Sequence, residues 1–345
     1  MDARREGALM THELLLENFD ELAEAPNGVE KLRELILQLA VQGKLVPQDE
    51  NDEPAAVLFS QIQAERSRLI AEGVMRRSKP LPPVCADEQP FQIPTQWSWI
   101  RFDDVGDWGA GATPNRGRLD YFGGNIKWFK SGELNDAYID DSEEKITELA
   151  LKECSLRENE PGDVLVAMYG ATIGKVAILN VPATTNQAVC ACTCHSGIFN
   201  RYLFLMLKAF KPYFISNSSG AAQPNFSKEK IVRTPFPLPP LAEQRRIVGK
   251  VDQLLELCDE LAARQAARGA LGVGGGDARP PGLVPLGRRV PRARPPPPRP
   301  LRPPLRHPHH DPPTPPSHPP TRRPRPTRPP RTQRRTDRRI GRSRE

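Results

Sequence analysis

No stretch of this 345-residue chain comes near the ~20 consecutive apolar residues that a membrane-spanning helix requires, and the first twenty residues lack the unbroken apolar core of a secretory signal. Cysteine is scarce: Cys85, Cys154, Cys190, Cys192, Cys194 and Cys258 are too few in a chain this long to make a disulfide scaffold. A soluble protein of a reducing, cytoplasmic compartment is expected. Complete catalytic signatures are missing too. Gly170-Ala-Thr-Ile-Gly174-Lys175 has one residue too few between its glycines for a phosphate loop, and Val176 stands where such a loop needs Ser or Thr. A turn between two strands, with Lys175 at the surface, is the expected structure. Trp108-Gly109-Ala110-Gly111 has the look of an S-adenosylmethionine glycine loop. The Asn/Asp-Pro-Pro-aromatic motif of a DNA methyltransferase is absent, since the Asp-Pro-Pro at Asp311 is followed by Thr314. Glu143-Glu144-Lys145 holds the Glu-x-Lys half of a nuclease metal site with no Pro-Asp before it, and reads as a solvated charge run. Cys190, Cys192 and Cys194, followed by His195, lack the second ligand pair of a structural zinc site. On a strand, their alternate spacing puts three small apolar side chains on one face.

Charge is present but unevenly placed. From Arg279 to the end there are 19 Arg, 3 acidic residues and 22 of the 39 prolines, with no Lys and no aromatic residue. That segment carries 19 − 3 = +16, so residues 1–278 carry +7 − 16 = −9, and the basic character of the whole chain belongs to its tail. Composition makes residues 269–345 a disordered Pro/Arg-rich tail. Such a tail is either an arginine arm for phosphates or an out-of-frame extension of a GC-rich gene, and the absence of Lys and aromatics favours the second.

Ahead of the tail, periodicity predicts an α+β protein. A short helical candidate covers Glu13–Glu24. Asn27 and Glu30 have capping-box spacing ahead of an apolar stripe at Leu32, Leu35, Ile36 and Leu39, and that helix should end near Gly43. Pro54 is placed at N1 of a second helix carrying Val57, Leu58, Ile62, Leu69 and Ile70, with Gly73 as its C-cap. Residues 1–73 therefore form an N-terminal helical region, and residues 74–96, with five prolines, a linker. In 97–240 the strand candidates are 126–130, 163–169, 175–180 and 188–194, beside a buried helix over 202–210. This domain has 15 basic and 16 acidic residues, so contact with an anion there depends on local placement. Residues 241–268 follow as a helix behind Pro239-Pro240, with Glu243 near the positive end of its dipole. Ile247, Val251, Leu254, Cys258 and Leu261 make a narrow a/d stripe of the coiled-coil type.

The residue types suited to reading DNA fall in three places. Thr113, Asn115, Arg116, Lys127 and Lys130 lie in 112–130, Thr172 and Lys175 in the 169–175 turn, and Asn186, Gln187, Gln223, Asn225 and Lys228 in two amide-rich segments. Asn and Gln can pair bidentately with adenine, and Arg and Lys hold guanine or phosphate. The same residues are common in polar turns, and composition leaves both readings open.

Several phrases occur in one order: Gly43-Lys-Leu-Val-Pro-Gln-Asp, Asp52-Glu-Pro-Ala, Ile93-Pro-Thr-Gln-Trp-Ser-Trp, Gly111-Ala-Thr-Pro, Gly170-Ala-Thr-Ile-Gly-Lys-Val, Thr185-Asn-Gln-Ala, Gln223-Pro-Asn-Phe-Ser and Pro237-Leu-Pro-Pro-Leu-Ala-Glu-Gln-Arg-Arg-Ile-Val. Together, over residues 27–265, they resemble the specificity subunit of type I restriction-modification enzymes. The resemblance implies an α/β target-recognition domain at 97–240 and a coiled-coil spacer helix at 241–268. It also implies sequence-specific binding of double-stranded DNA and docking of modification (methyltransferase) and restriction (motor and nuclease) subunits. The chain itself is then non-catalytic, with S-adenosylmethionine, ATP and Mg²⁺ on the partner subunits. A member of this family has two recognition domains and this chain carries one, so the resemblance implies a truncated subunit, or a half-subunit that dimerises through Ile247–Leu261. A reading of another class is a helical assembly protein whose Arg-rich tail binds nucleic acid nonspecifically.

Overall fold

The computed structural model describes residues 19, 25, 27–220 and 224–272, with side chains through Arg268. The helical candidate at Glu13–Glu24, apart from Phe19, and the tail beyond Gly272 lie outside the described residues. Helix α1 (Gly28–Val41) and helix α2 (Ala55–Ala71) come first, joined by an extended crossing. Gly43 and Gly73, with φ of 68° and 73°, close them in the left-handed conformation that ends many helices. Two details differ from expectation. Asn27 is itself left-handed (φ 57°, ψ 27°) and its side chain caps nothing, so the capping box does not form. Pro54 is the N-cap, one residue earlier than N1, because its ψ of 143° is extended.

Residues 74–96 run as a strap along the surface, broken by a single 3-10 turn at Ala86–Glu88. Strand β1 (Ser98–Arg101) then pairs antiparallel with β10 (Pro235–Leu238), from Ser98↔Leu238 to Arg101↔Pro235. Between them lies a five-stranded sheet of β2 (Gly106–Ala110), β9 (Val189–Cys194), β6 (Val164–Ala167), β7 (Val176–Leu179) and β4 (Tyr138–Ile139), in that order. All its pairs are antiparallel except β7 with β4. A smaller sheet holds β5 (Lys145–Ile146), β3 (Phe122–Phe129) and β8 (Thr184–Thr185), with β3 central.

The sequences Val-Leu-Val-Ala of β6 and Val-Ala-Ile-Leu of β7 are apolar throughout because both faces are covered. Val164, Val166, Val176 and Ile178 face the large core with the helices, and Leu165, Ala167, Ala177 and Leu179 face a second cluster with Phe129, Leu134 and Ile139. Cys190 and Cys192 alternate onto the large-core side, where burial pushes the Cys190 thiol up to about 12 and that of Cys192 well above its usual value. The described residues hold no group of three or more His, Cys, Asp or Glu placed for a metal ion.

Helix α3 (Glu148–Glu153) covers the smaller sheet together with Tyr121 and Trp128. Helices α4 (Asn200–Ala209), α5 (Lys211–Ser216) and α6 (Lys228–Arg233) follow β9, and α7 (Leu241–Gly272) leaves directly from β10. The segments distinguished by composition share one core, a continuous cluster that includes Leu32, Leu58, Phe102, Tyr202 and Val251. The predicted helix stripe sits inside it. Ile247, Val251, Leu254 and Cys258 are buried against α1 and α4, and Leu261 is half-buried. Each aliphatic side chain so covered contributes about 1.5–3 kcal/mol. Within one chain the N-terminal helix and α4 cover this stripe, and a dimer through Ile247–Leu261 is not shown.

The start of α7 is fixed by polar bonds that are themselves buried. Glu243 accepts from the Trp97 indole at 2.9 Å and from the Gln48 amide at 2.6 Å. Gln244 accepts from the Phe199 backbone N–H at 2.8 Å and donates to the carbonyls of Gly197 and Pro239. Beside them Arg246 grips Asp52 with both guanidinium nitrogens. Burial raises the Glu243 carboxyl above its ordinary range, against the two hydrogen bonds that lower it. Among the described residues no helix is long and apolar enough to cross a membrane.

Candidate nucleic-acid interface

The β2–β3 loop and the β8–β9 turn meet because Gly111 has no side chain. Its amide donates to the Val189 carbonyl and that of Ala112 to the Thr185 carbonyl, both at 3.0 Å. A Cβ on Gly111 would overlap the Thr185 carbonyl, the Thr185 hydroxyl and the Asn186 carbonyl. This approach brings together four of the predicted residues. Thr113 donates to the Gln187 side-chain oxygen across the gap. Asn186 turns its amide oxygen back to the Ala188 N–H at 3.1 Å, and Asn115 does the same for Gly117 at 2.9 Å. Thr113, Asn115 and Gln187 are exposed.

Arg116 continues this face. Its guanidinium lies over the Phe122 and Trp128 rings at 4.8 and 5.0 Å and holds Glu144 at 2.5 and 3.3 Å. Lys130 is committed to the same carboxylate, at 3.1 Å, and to Glu143, at 2.8 Å. These carboxylates raise the Lys130 pKa, and Arg116 ahead of Lys130 holds Glu144 below its ordinary value. Glu144, read from sequence as part of a solvated run, is thus the anchor of two predicted cations. Lys127 is half-buried on β3, its carbonyl accepting from Thr184.

A second group forms around the turn after β6. Gly170 and Gly174, at φ of 60° and 77°, make the predicted strand-to-strand turn. Thr172 spends its hydroxyl on the Tyr169 carbonyl at 2.8 Å, while Lys175 is half-buried. Asn225 pairs by backbone with Tyr169 and Ser219, and its side-chain oxygen is buried with no partner among the described residues. Gln223 lies outside the described residues. Lys228 stands apart from both groups: it opens α6 and reaches the Trp108 carbonyl at 3.3 Å.

The type I restriction modification DNA specificity domain matches residues 94–268, about half of the chain. The chain is 31% identical over 265 residues to the type I restriction enzyme EcoAI specificity subunit of Escherichia coli, covering 71% of this chain and 43% of that protein. It is 29% identical over 261 residues to the EcoEI specificity subunit of the same organism, again covering 71% and 43%. This chain therefore spans less than half the length of these relatives. Among solved structures it is similar to an HsdS subunit from Thermoanaerobacter tengcongensis, with 20% identity, a TM-score of 0.42, and coverage of 69% of this chain and 51% of that one. With its mixed helix and sheet and its long distal helix, the chain belongs to the type I restriction-modification DNA specificity family.

Proposed function

We infer that this chain is a non-catalytic subunit that reads double-stranded DNA by sequence and directs partner modification and restriction subunits to it. The observation that carries this reading is the exposed face on which Thr113, Asn115 and Arg116 meet Asn186 and Gln187. Its amides and hydroxyls can pair with base edges, and its guanidinium is held within 5.0 Å of the centroids of two aromatic rings. The turn after β6, with Thr172, Lys175 and Asn225, is a second candidate contact, and Lys228 supplies a phosphate contact. S-adenosylmethionine, ATP and Mg²⁺ belong to the partner subunits in this reading, and the compartment is the cytoplasm. The intact α1–α7 pair is the dock for modification subunits, because pairing two copies through the α7 stripe would first displace α1.

The test is site-selective methylation of duplex DNA by this chain assembled with modification subunits. Gln187→Ala is expected to relax preference at one base position by about 1–3 kcal/mol while other positions keep theirs. Equal loss at every position, or no selectivity in the unaltered chain, would remove the reading.

A further inference from the structure

Beneath the strap lies an open cleft of about 1070 Å³, walled by residues 74–81 on one side and by β2, residues 155–158 and α6 on the other. Its cations are Arg76, Arg77, Lys79, Arg157, Lys228 and Arg233, and its carboxylates are Asp103, Asp107, Glu158 and Glu229. The charges are not equally available. Arg157 lies across Gly109 and is saturated by the Asp107 carboxylate at 3.0 Å, the Asp107 carbonyl, the Thr193 hydroxyl and the Asn159 side chain. Asp103 is neutralised by Arg66, and Glu229 by Arg233 at 3.2 Å. Arg76, Arg77 and Lys79 are exposed and have no side-chain partner among the described residues. The usable field of the cleft is therefore positive, from three strap cations and Lys228, against the single unpaired carboxylate of Glu158.

The strap that carries them is held in place. Met75 is buried, and the amides of Val74 and Met75 bond the Leu69 carbonyl. Arg66 donates to the Ser78 hydroxyl at 2.6 Å, and the buried Arg101 donates to the carbonyls of Pro82 and Pro83. Backbone groups, the Ser78 hydroxyl and the Glu88 carboxylate thus fix the strap, and the side chains of Arg76, Arg77 and Lys79 remain free.

We propose that this cleft is a phosphodiester track: the strap cations Arg76, Arg77 and Lys79, with Lys228 opposite, hold the sugar-phosphate backbone of DNA outside the bases being read. The proposal rests on the reading that the chain binds duplex DNA. It assigns the strap to affinity without sequence preference, separate from the Thr113–Gln187 face.

The experiment compares salt-dependent binding of a fixed duplex by the full chain, by the triple variant Arg76→Gln, Arg77→Gln, Lys79→Gln, and by a control with Lys31, Lys152 and Arg245 changed to Gln. The control removes the same charge from exposed positions away from the cleft, so the contribution of the Arg-rich tail is common to all three proteins. With a slope of about −0.9 per phosphate contact, losing three contacts should shrink the affinity change between 50 and 200 mM salt by about 40-fold in the triple variant only. Thermal melting should be unaltered, since these side chains are exposed. A triple variant that matches either the unaltered chain or the control overturns the track. Site-selective methylation by the assembled complex is measured in parallel. Selectivity with no triple-variant effect ends the track and leaves the DNA-reading role intact, whereas the expected effect without selectivity leaves the track and ends that role.

Discussion

Replacing Arg101 with Met should loosen the strap from the recognition domain. The Arg101 side chain is 7% exposed and makes five hydrogen bonds: two to Glu88 (2.8 and 2.9 Å) and one each to the carbonyls of Pro82 (2.9 Å), Pro83 (3.1 Å) and Arg233 (2.7 Å). Removing one partner of a buried ion pair costs about 3–5 kcal/mol when the other charge stays buried. Glu88 is 38% exposed and regains water, so the lower end applies, and we expect about 3 kcal/mol. The loss falls on the contact between strap and domain, so local opening of residues 74–88 becomes about 150-fold more populated. Trypsin cleavage after Arg76 and Arg77, followed by mass spectrometry under conditions where closing outpaces cutting, reports that population directly. Cleavage at those two bonds within two-fold of the unaltered chain would refute the anchoring role. The pair also has an acid limit. Arg101 holds the Glu88 carboxyl down at about 2 from an ordinary 4.5, so its contribution is complete above the higher value and disappears as pH falls toward the lower. Opening of the strap, read by hydrogen exchange of the amides of residues 74–88, should rise over that interval.

Glu243→Ala leaves the Trp97 indole and the Gln48 amide without their acceptor and is expected to cost about 2–3 kcal/mol in urea denaturation. Glu243→Gln keeps an acceptor and should be tolerated. Because burial raises this carboxyl, the folded state holds its proton more tightly than the unfolded state does. Its contribution is therefore full below the ordinary value of 4.5 and declines as pH rises through the folded value, and Glu243→Gln should remove that decline from a pH series of melting temperatures. Leu254→Ala should cost about 2–5 kcal/mol with no change of molecular size in light scattering, because the residue is covered within one chain. Gly111→Ala should force the β2–β3 loop away from Thr185 and Asn186 and reduce selectivity at the Thr113–Gln187 face, while binding to unrelated duplex at low salt is retained. Equal loss on both DNAs would mean that the contact supports the fold alone.

The elements most legible in the sequence were those whose burial is expressed in consecutive residues. The apolar runs of β6 and β7, the alternating cysteines of β9 and the Tyr202–Phe210 stretch of α4 each carry their own signal. The two-residue strands β4, β5 and β8 do not, because each exists only through the neighbour it pairs with. Strand β10 contains Pro235 and Pro237, tolerated in a ribbon of two strands but misleading in a pattern search. Glu243 shows the same limit at the level of one residue. Position alone assigned it to the helix dipole, whereas its environment is set by Trp97 and Gln48, 146 and 195 residues away in sequence. Of the candidate site, residue type marked Thr113, Asn186 and Gln187, but their juxtaposition depends on the close approach at Gly111. The strap cations were hidden by the prolines around them, which identify an extended segment without saying what it lies against.

The pairing of β1 with β10 also has a practical meaning for engineering. A stretch of about 140 residues enters and leaves the rest of the chain through two hydrogen-bonded neighbours, one strand spacing of roughly 4.8 Å apart. Such a stretch is a cassette only if its replacement also supplies what α4, Gly197 and Phe199 present to α1 and α7, because both helices pack on α4 and Gln244 bonds that segment. The cut has to fall outside the ribbon, because Ile100 and Phe236 face each other across it and Phe236 packs on Phe102 and Tyr202. A graft joined before Ser98 and after Leu238 carries its own seam, and one joined inside those positions opens the core.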